Sequence, residues 1–326
     1  MTGRWIRNAA LVVTAGWIVA CSSAVTGNEG NFVFSYAADD NVLDFNKPLA
    51  VGARLDLLVT DVGQRRPVQL AEAGTDDPAI MEVVSVDGSM FTVEGVGEGN
   101  VLVDVRGTNA DGEELTDSVN MNVAVPEVHR LIHTCDRQAE RAAYLTSTDV
   151  VVVEFEMSRA NGQAVIGYGY YPVTLTGDAL AVDADASGQL WMHLAVGPDP
   201  GTVEMVSDID GTKRTFEVVD PGAIDGVREP IDFVWEDIDV GDTNAFYVLP
   251  TVGDAVVCQA QTPMQATSLT PDICAVEDTD PNPESQEWGW FNVTGVAQGT
   301  CEFEVTYTQG NGGAGASATF TYTIEP

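Results

Sequence analysis

Basic residues are scarce in this chain. Its 326 residues hold 14 lysines and arginines against 50 aspartates and glutamates, a formal net charge of −36. That balance argues against nucleic acid as a partner, because phosphate binding needs a cationic surface that releases counterions. Anionic lipid headgroups are disfavoured for the same reason, and a solvated acidic surface outside the cytoplasm is the plain reading. Histidine is scarcer still, at three residues, which leaves few general bases near neutral pH. Also missing are a Gly-x-Ser-x-Gly elbow, a His-Glu-x-x-His pair and a glycine-rich phosphate loop ahead of a helix. Paired carboxylates are the one catalytic device that so many acids leave open. No pair stands out, so no catalytic residue and no cofactor is expected. No window shows a convincing helical period, which points to an all-β protein.

A long apolar run is absent too. Residues 9–20 are apolar but too short to cross a bilayer comfortably, and Arg4 and Arg7 precede them. Those are the dimensions of a signal-peptide core. The run ends in Ile18-Val19-Ala20-Cys21, which resembles the lipobox of bacterial lipoproteins. That resemblance implies removal of residues 1–20 and acylation of Cys21, with Ser22 and Ser23 implying transfer to an outer membrane. Several acyl chains hold far better than one, each buried methylene adding roughly 0.8 kcal/mol. Residues 21–31 then read as the lipidated cysteine and a small, polar, flexible tether.

The rest of the chain is organised around one repeated stretch. Residues 291–305 (FNVTGVAQGTCEFEV) read as a strand, a tight glycine-bearing turn and a second strand. Residues 91–105 (FTVEGVGEGNVLVDV) repeat it, and residues 194–205 (LAVGPDPGTVEM) echo it loosely. The turn glycines Gly99, Gly201 and Gly299 lie 102 and 98 residues apart. A period of that size suits one small β-sandwich. Three are therefore expected, at 32–125, 126–221 and 222–326, with Pro126, Pro221 and Pro230 near the boundaries. Leu55, Leu57 and Val59 alternate as a half-buried strand, and Phe91, Val93, Val101, Val103 and Val105 form an inward set. Hairpin turns are expected at Asp87-Gly88, Asn109 to Gly112, Asn161-Gly162 and Asp210-Gly211, where Asn, Asp and Gly tolerate positive φ. The third of these leads into Ala164, Val165 and Ile166 and the aromatic run Tyr168, Tyr170 and Tyr171.

Val51-Gly52, residues 77–83 and residues 93–101 together resemble the group 2 bacterial immunoglobulin-like domain of invasin- and intimin-type adhesins. Val240-Gly241, residues 271–276 and residues 291–305 repeat the pattern. The family's Trp before a Ser-x-Asp step is missing from both copies. The resemblance implies an immunoglobulin-like sandwich in a display or adhesion context, without a catalytic site. The middle unit is the most divergent of the three.

Four cysteines remain after Cys21, and four allow three pairings. Cys274 takes the slot of Met81 and Cys301 that of Val101, inward positions of paired core strands, which argues for a Cys274–Cys301 bridge. In the chain-entropy model such a bridge contributes roughly 3.5 kcal/mol before strain. Cys135 and Cys258 either bridge the second and third units or stay as two buried thiols. His129, His133 and Cys135 share one face of an extended strand. Zinc could use that spacing, but no fourth ligand is visible and Leu131 lies on the same face. Asp183 and Asp185 open like a calcium loop, yet position twelve is Leu194 rather than Glu. An acidic turn is expected there, and no metal site is assigned.

The third unit has more residues than the first between matching positions, in a polar, proline-bearing stretch at 278–287. Asp278, Asp280, Glu284 and Glu287, with Trp288 and Trp290 beside them, form the candidate binding loop. The expected protein is a non-catalytic envelope lipoprotein of three tandem immunoglobulin-like sandwiches. Its lipid would hold it at the outer membrane or the cell surface, where it serves display, adhesion or spacing. A periplasm-facing scaffold that meets another envelope protein, or an accessory protein that binds polysaccharide, is the alternative.

Overall fold

The computed structural model describes residues 24–37, 45, 47–63, 65–188, 190–230, 237–259, 264–278, 289–307 and 315–326. The leader, Cys21 and the stretch 279–288 lie outside the described residues. The described chain is all-β, with strands from Ala24–Thr26 to Ser317–Glu325 and one 3-10 turn at Pro221–Ala223.

In the first unit the strands Ala24–Thr26, Phe32–Tyr36, Arg54–Asp61, Met90–Gly95 and Met81–Asp87 make one sheet, in that order. Leu49–Ala50, Glu114–Ala124, Gly99–Thr108 and Gln69–Thr75 make the facing sheet. Alternation decides which face is buried. Leu55, Leu57, Val59, Phe91, Val93, Val101, Val103 and Val105 are all 4 % exposed or less. In the middle unit Val128–His133, Val150–Ser158, Trp191–Val196 and Leu180–Asp183 form one sheet. Its other layer holds Val173–Thr176, Gly201–Ser207, Lys213–Val219 and Arg141–Leu145. The third unit repeats the arrangement of the first. Thr243–Tyr247, Trp290–Gly295 and Cys274–Asp278 face Ile238–Asp239, Ser317–Glu325, Gly299–Tyr307 and Met264–Ser268.

The repeated stretch is a crossing between layers. Met90–Gly95 and Gly99–Thr108 lie in opposite sheets, as do Trp290–Gly295 and Gly299–Tyr307. In the middle unit Trp191–Val196 and Gly201–Ser207 do the same. The four expected hairpin turns each join antiparallel neighbours: Asp87 pairs Met90, Thr108 pairs Glu114, Ser158 pairs Ala164 and Val206 pairs Lys213.

Two pairs of glycines account for the Val-Gly step and the first turn glycine of the repeat. Gly52 has φ +87° and its N–H donates to Gly95 O, while Gly95 N–H donates back to Ala53 O. Gly241, at φ +94°, donates to Gly295 O, and Gly295 donates to Asp242 O. A Cβ on Gly95 would stand 2.5 Å from the Ala50 carbonyl oxygen, and one on Gly295 would stand 2.6 Å from that of Asp239. Only glycine lets the backbones clasp this closely. Gly95→Ala is therefore expected to destabilise the first unit by about 1–3 kcal/mol through overpacking. A urea midpoint equal to that of the parent chain would show that the clasp yields.

Three expectations need correction. Residues 24–31 are not a free tether. Ala24–Thr26 pairs with the strand Phe32–Tyr36, and the buried Asp117 carboxylate accepts the N–H groups of Glu29, Asn31 and Phe32. Cys274 and Cys301 do not sit on paired strands; their strands lie in facing sheets. The boundary at 221 does not separate the sheets either. Gly226–Arg228, Leu249–Val252 and Ala255–Val257 join the sheet that also holds Arg141–Leu145 and Lys213–Val219. Arg141–Leu145 offers two edges, and Ala255–Val257 takes the one that Lys213–Val219 leaves free.

Candidate functional site

Most of the expected binding loop lies outside the described residues. That holds for Asp280, Glu284, Glu287 and Trp288, and only the backbone of Asp278 is described, at the end of its strand. Trp290 is half-buried and stacks on Tyr247 across the strand pair, with ring centroids 4.6 Å apart. Its ring face toward Tyr247 is thus already occupied. Among the described residues the exposed large aromatic is Trp191, 39 % exposed on the outer face of the middle unit.

The histidines His129 and His133 belong to the core, at 2 % and 0 % exposed. His129 Nδ1 lies 3.1 Å from Ser207 Oγ, and His133 Nδ1 lies 3.1 Å from the Tyr144 hydroxyl. The Nε2 atoms of both rings are buried and without a hydrogen-bond partner. Burial pushes both rings down to about 4, against the opposing pull of Asp210 and Asp208 on His129. For His133 the Arg214 charge adds to the burial. The third member of the expected set, Cys135, is joined to Cys258 and is unavailable as a ligand. No group of three or more His, Cys, Asp or Glu among the described residues is placed to hold a metal ion. Asp183 behaves as a turn residue: its Oδ1 accepts from Ala186 N–H, and its carbonyl accepts from Ser187 Oγ.

A cleft of about 430 Å³ opens in the first unit, lined by Glu29, Glu72, Asp104, Arg106, Thr116 and Asp117 among others. Its arginine and its buried carboxylate are committed. Arg106 bridges Glu72 and Glu114 at 3.0 and 2.7 Å. Desolvation alone would raise the Asp117 pKa, but a side-chain hydrogen bond with Glu29 and the backbone N–H groups of Phe32, Glu29 and Ser118 hold it below the ordinary value. A carboxylate saturated in this way is a clamp on the first strands rather than a general base.

The junctions between units are where the structure concentrates specific contacts. After the turn at Asn161-Gly162, residues 166–170 leave the middle unit and lie across the end of the first. Ala50 N–H donates to Ile166 O, and Arg54 and Tyr168 exchange both backbone bonds, at 2.8 and 2.9 Å. The Tyr168 hydroxyl donates to Asp56 Oδ1 at 2.9 Å, and Arg159 meets Glu98 at 3.0 Å. Burial and the Asp56 carboxylate push the Tyr168 phenol up to about 12.

The second junction is tied more heavily. Besides the shared sheet, the Cys135–Cys258 disulfide crosses it. Asp136, with its side chain fully buried, pairs with Arg228 at 3.2 Å. Gln259 extends the ladder of the middle unit, its Oε1 accepting from Val152 N–H and its Nε2 donating to Val150 O. The second disulfide, Cys274–Cys301, joins the two layers of the third unit, both cysteines being fully buried. Asp56, Asp117, Asp136 and Gln259 carry no local mark of these contacts in the sequence. Tyr168 stood out only as part of the run with Tyr170 and Tyr171, which read as belonging to its own unit.

No family model matches the sequence. No curated protein matches it either. Among solved structures, domains 4–9 of the surface-layer protein SbsC align with a TM-score of 0.26 at 13% identity, over 90% of this chain and 50% of that one. The chain thus spans half the length of that fragment. Invasin, described as a bacterial integrin-binding protein, aligns at 0.24 and 13% identity, over 93% and 60% of the two chains. A Bacteroides ovatus glucan-utilisation protein, SGBP-B, solved with a mixed-linkage heptasaccharide, aligns at 0.26 and 9% identity, over 86% and 66%. Superpositions at these scores say nothing about partner or activity.

Proposed function

We propose that this chain is a non-catalytic protein of the cell envelope, built to hold a binding end at a set distance from its point of attachment. One observation carries the reading: both junctions are bonded, not linked by loose chain. A spacer must resist bending. The strap at residues 166–170 supplies backbone pairing at the first junction, and the second has a continuous sheet, a disulfide and a buried ion pair. Disulfides persist in oxidising compartments, which supports a place outside the cytoplasm. The acidic surface supports solubility there and discourages self-association.

Cys21 is the proposed attachment point, through acylation, and the third unit the proposed binding end. Protease treatment of intact cells tests the display reading. Cleavage of the chain is the expected result; full protection would move the protein to the inward-facing scaffold alternative. Cys21→Ala is expected to shift the protein from the membrane fraction to the soluble one, and retention in the membrane would remove the lipid anchor from the proposal.

A further inference from the structure

The first and third units match residue for residue at one end. Leu49 pairs Val123, and Gly99 pairs the same Val123; Ile238 pairs Ile324, and Gly299 pairs the same Ile324. Arg54 pairs Glu94 as Thr243 pairs Thr294. Residues 49–54 therefore correspond to residues 238–243. In the first unit this end leaves two stretches of backbone open. One is the edge strand Leu49–Ala50 in one sheet; in the other sheet it is the start of Arg54–Asp61, which runs on past the end of Phe32–Tyr36. The strap closes both. Ile166 pairs with Leu49 on one edge and Tyr168 with Arg54 on the other. Ala50 and Ala53 beneath it are 0 % exposed.

The third unit has the same two edges and nothing bridging them among the described residues. Ile238–Asp239 ends one sheet and Thr243–Tyr247 ends the other. Asp239, Gly241, Asp242, Thr243, Asn244 and Ala245 are exposed, and Val240 and Val296 are 44% and 50% exposed. In an antiparallel ladder one residue's N–H and C=O point to the same side. The register that turns Arg54 toward the strap therefore turns Thr243, and with it Ala245, outward. Such an edge is a template for an added strand.

The side chains around it define the chemistry of what is added. Ala50 and Ala53 are replaced by Asp239 and Asp242, and Asp237 and Glu325 are exposed beside them. Acids at an edge repel a second copy of a chain whose net charge is −36. We propose that this end of the third unit receives an extended, cationic segment of a partner protein, laid across Asp239 and Thr243 as the strap lies across Ala50 and Arg54. This deepens the reading of the third unit as the binding end. It fails separately, because it is decided in solution and the display reading is decided on cells.

The test is titration of the full chain with a synthetic peptide of residues 163–171 flanked by lysines, followed by hydrogen exchange at 239–245. Binding with protection of that segment is expected, at least about tenfold tighter than for the glutamate-flanked peptide. Thr243→Pro removes the outward N–H and the exposed hydroxyl contact with Thr294 while sparing the backbone bonds to Trp290–Gly295, since an edge strand tolerates proline facing solvent. It should abolish binding with unchanged circular dichroism. Should that variant unfold, the exposed pair Asp239→Ala and Asp242→Ala decides instead, by erasing the preference for lysine flanks. No binding at about 1 mM peptide, equal binding of a scrambled lysine peptide, or protection elsewhere overturns the proposal. The acids would then serve only to keep this end unpaired.

Discussion

Acidification is expected to cost the middle unit roughly 3 kcal/mol for each of His129 and His133. Both rings sit at about 4 in the folded chain, below the ordinary 6.5. As pH falls from 6.5 toward 4 the unfolded chain takes up these protons and the folded chain does not. The stabilisation is complete above 6.5, drains through that window and changes no further below it. The cause lies in the packing. The His133 ring lies 4.7 Å from Phe216, its Nε2 is buried without a partner, and Arg214 adds a like charge. His129 packs edge-on to Phe155 at 5.7 Å, and Asp210 and Asp208 only partly offset its burial.

Urea midpoints across this window check the prediction, with His129→Leu and His133→Leu as comparisons. Each substitution leaves a hydroxyl, of Ser207 or Tyr144, to find another partner, and that cost does not vary in the same pH range. Protonation of the many carboxylates relieves repulsion in all variants alike. The difference in slope between parent and variants therefore isolates the rings. Identical slopes would mean that the histidines are hydrated in solution.

Removing the Cys135–Cys258 bridge by a double serine substitution is expected to cost about 4–5 kcal/mol in the chain-entropy model, near the top of the range for one disulfide. The bridge joins residues 123 apart, against 27 for Cys274–Cys301, so it restrains far more of the unfolded chain. It also lies beside the junction's ion pair. Asp136 is buried next to Cys135 in the chain, and its partner Arg228 stands on a strand of the shared sheet. Those two charges depend on staying together, because a buried ion without its partner is strongly destabilising. With the bridge gone, urea unfolding is expected to split into two steps as the third unit uncouples from the second. A single step with an unchanged midpoint would show that the shared sheet alone carries the junction.

Local chemistry was readable along the chain because it acts over a few residues. Asp87-Gly88, Asn109 to Gly112, Asn161-Gly162 and Asp210-Gly211 turn where their backbone preferences say they should. Leu55, Leu57 and Val59 are buried as their alternation requires. Long-range partnership was not readable in the same way. Asp117 clamps N–H groups some 85 to 88 residues away, and no local pattern marks an aspartate for that work. The slots of Cys274 and Cys301 came from the repeat, but the repeat does not say whether two inward positions share a sheet or face each other across the core.

By itself, the order of residues determined that this protein is built of strands, where they turn, and which faces are buried. Side-chain alternation and the φ preferences of glycine and asparagine are properties of short segments. Tertiary structure alone decided that the strap at 166–170 closes the first unit, that the sheet runs on past residue 221, and that no described residue closes the matching end of the third unit. Strand edges carry the same N–H and C=O groups whatever their sequence, so which edges meet is settled only when the sandwiches pack.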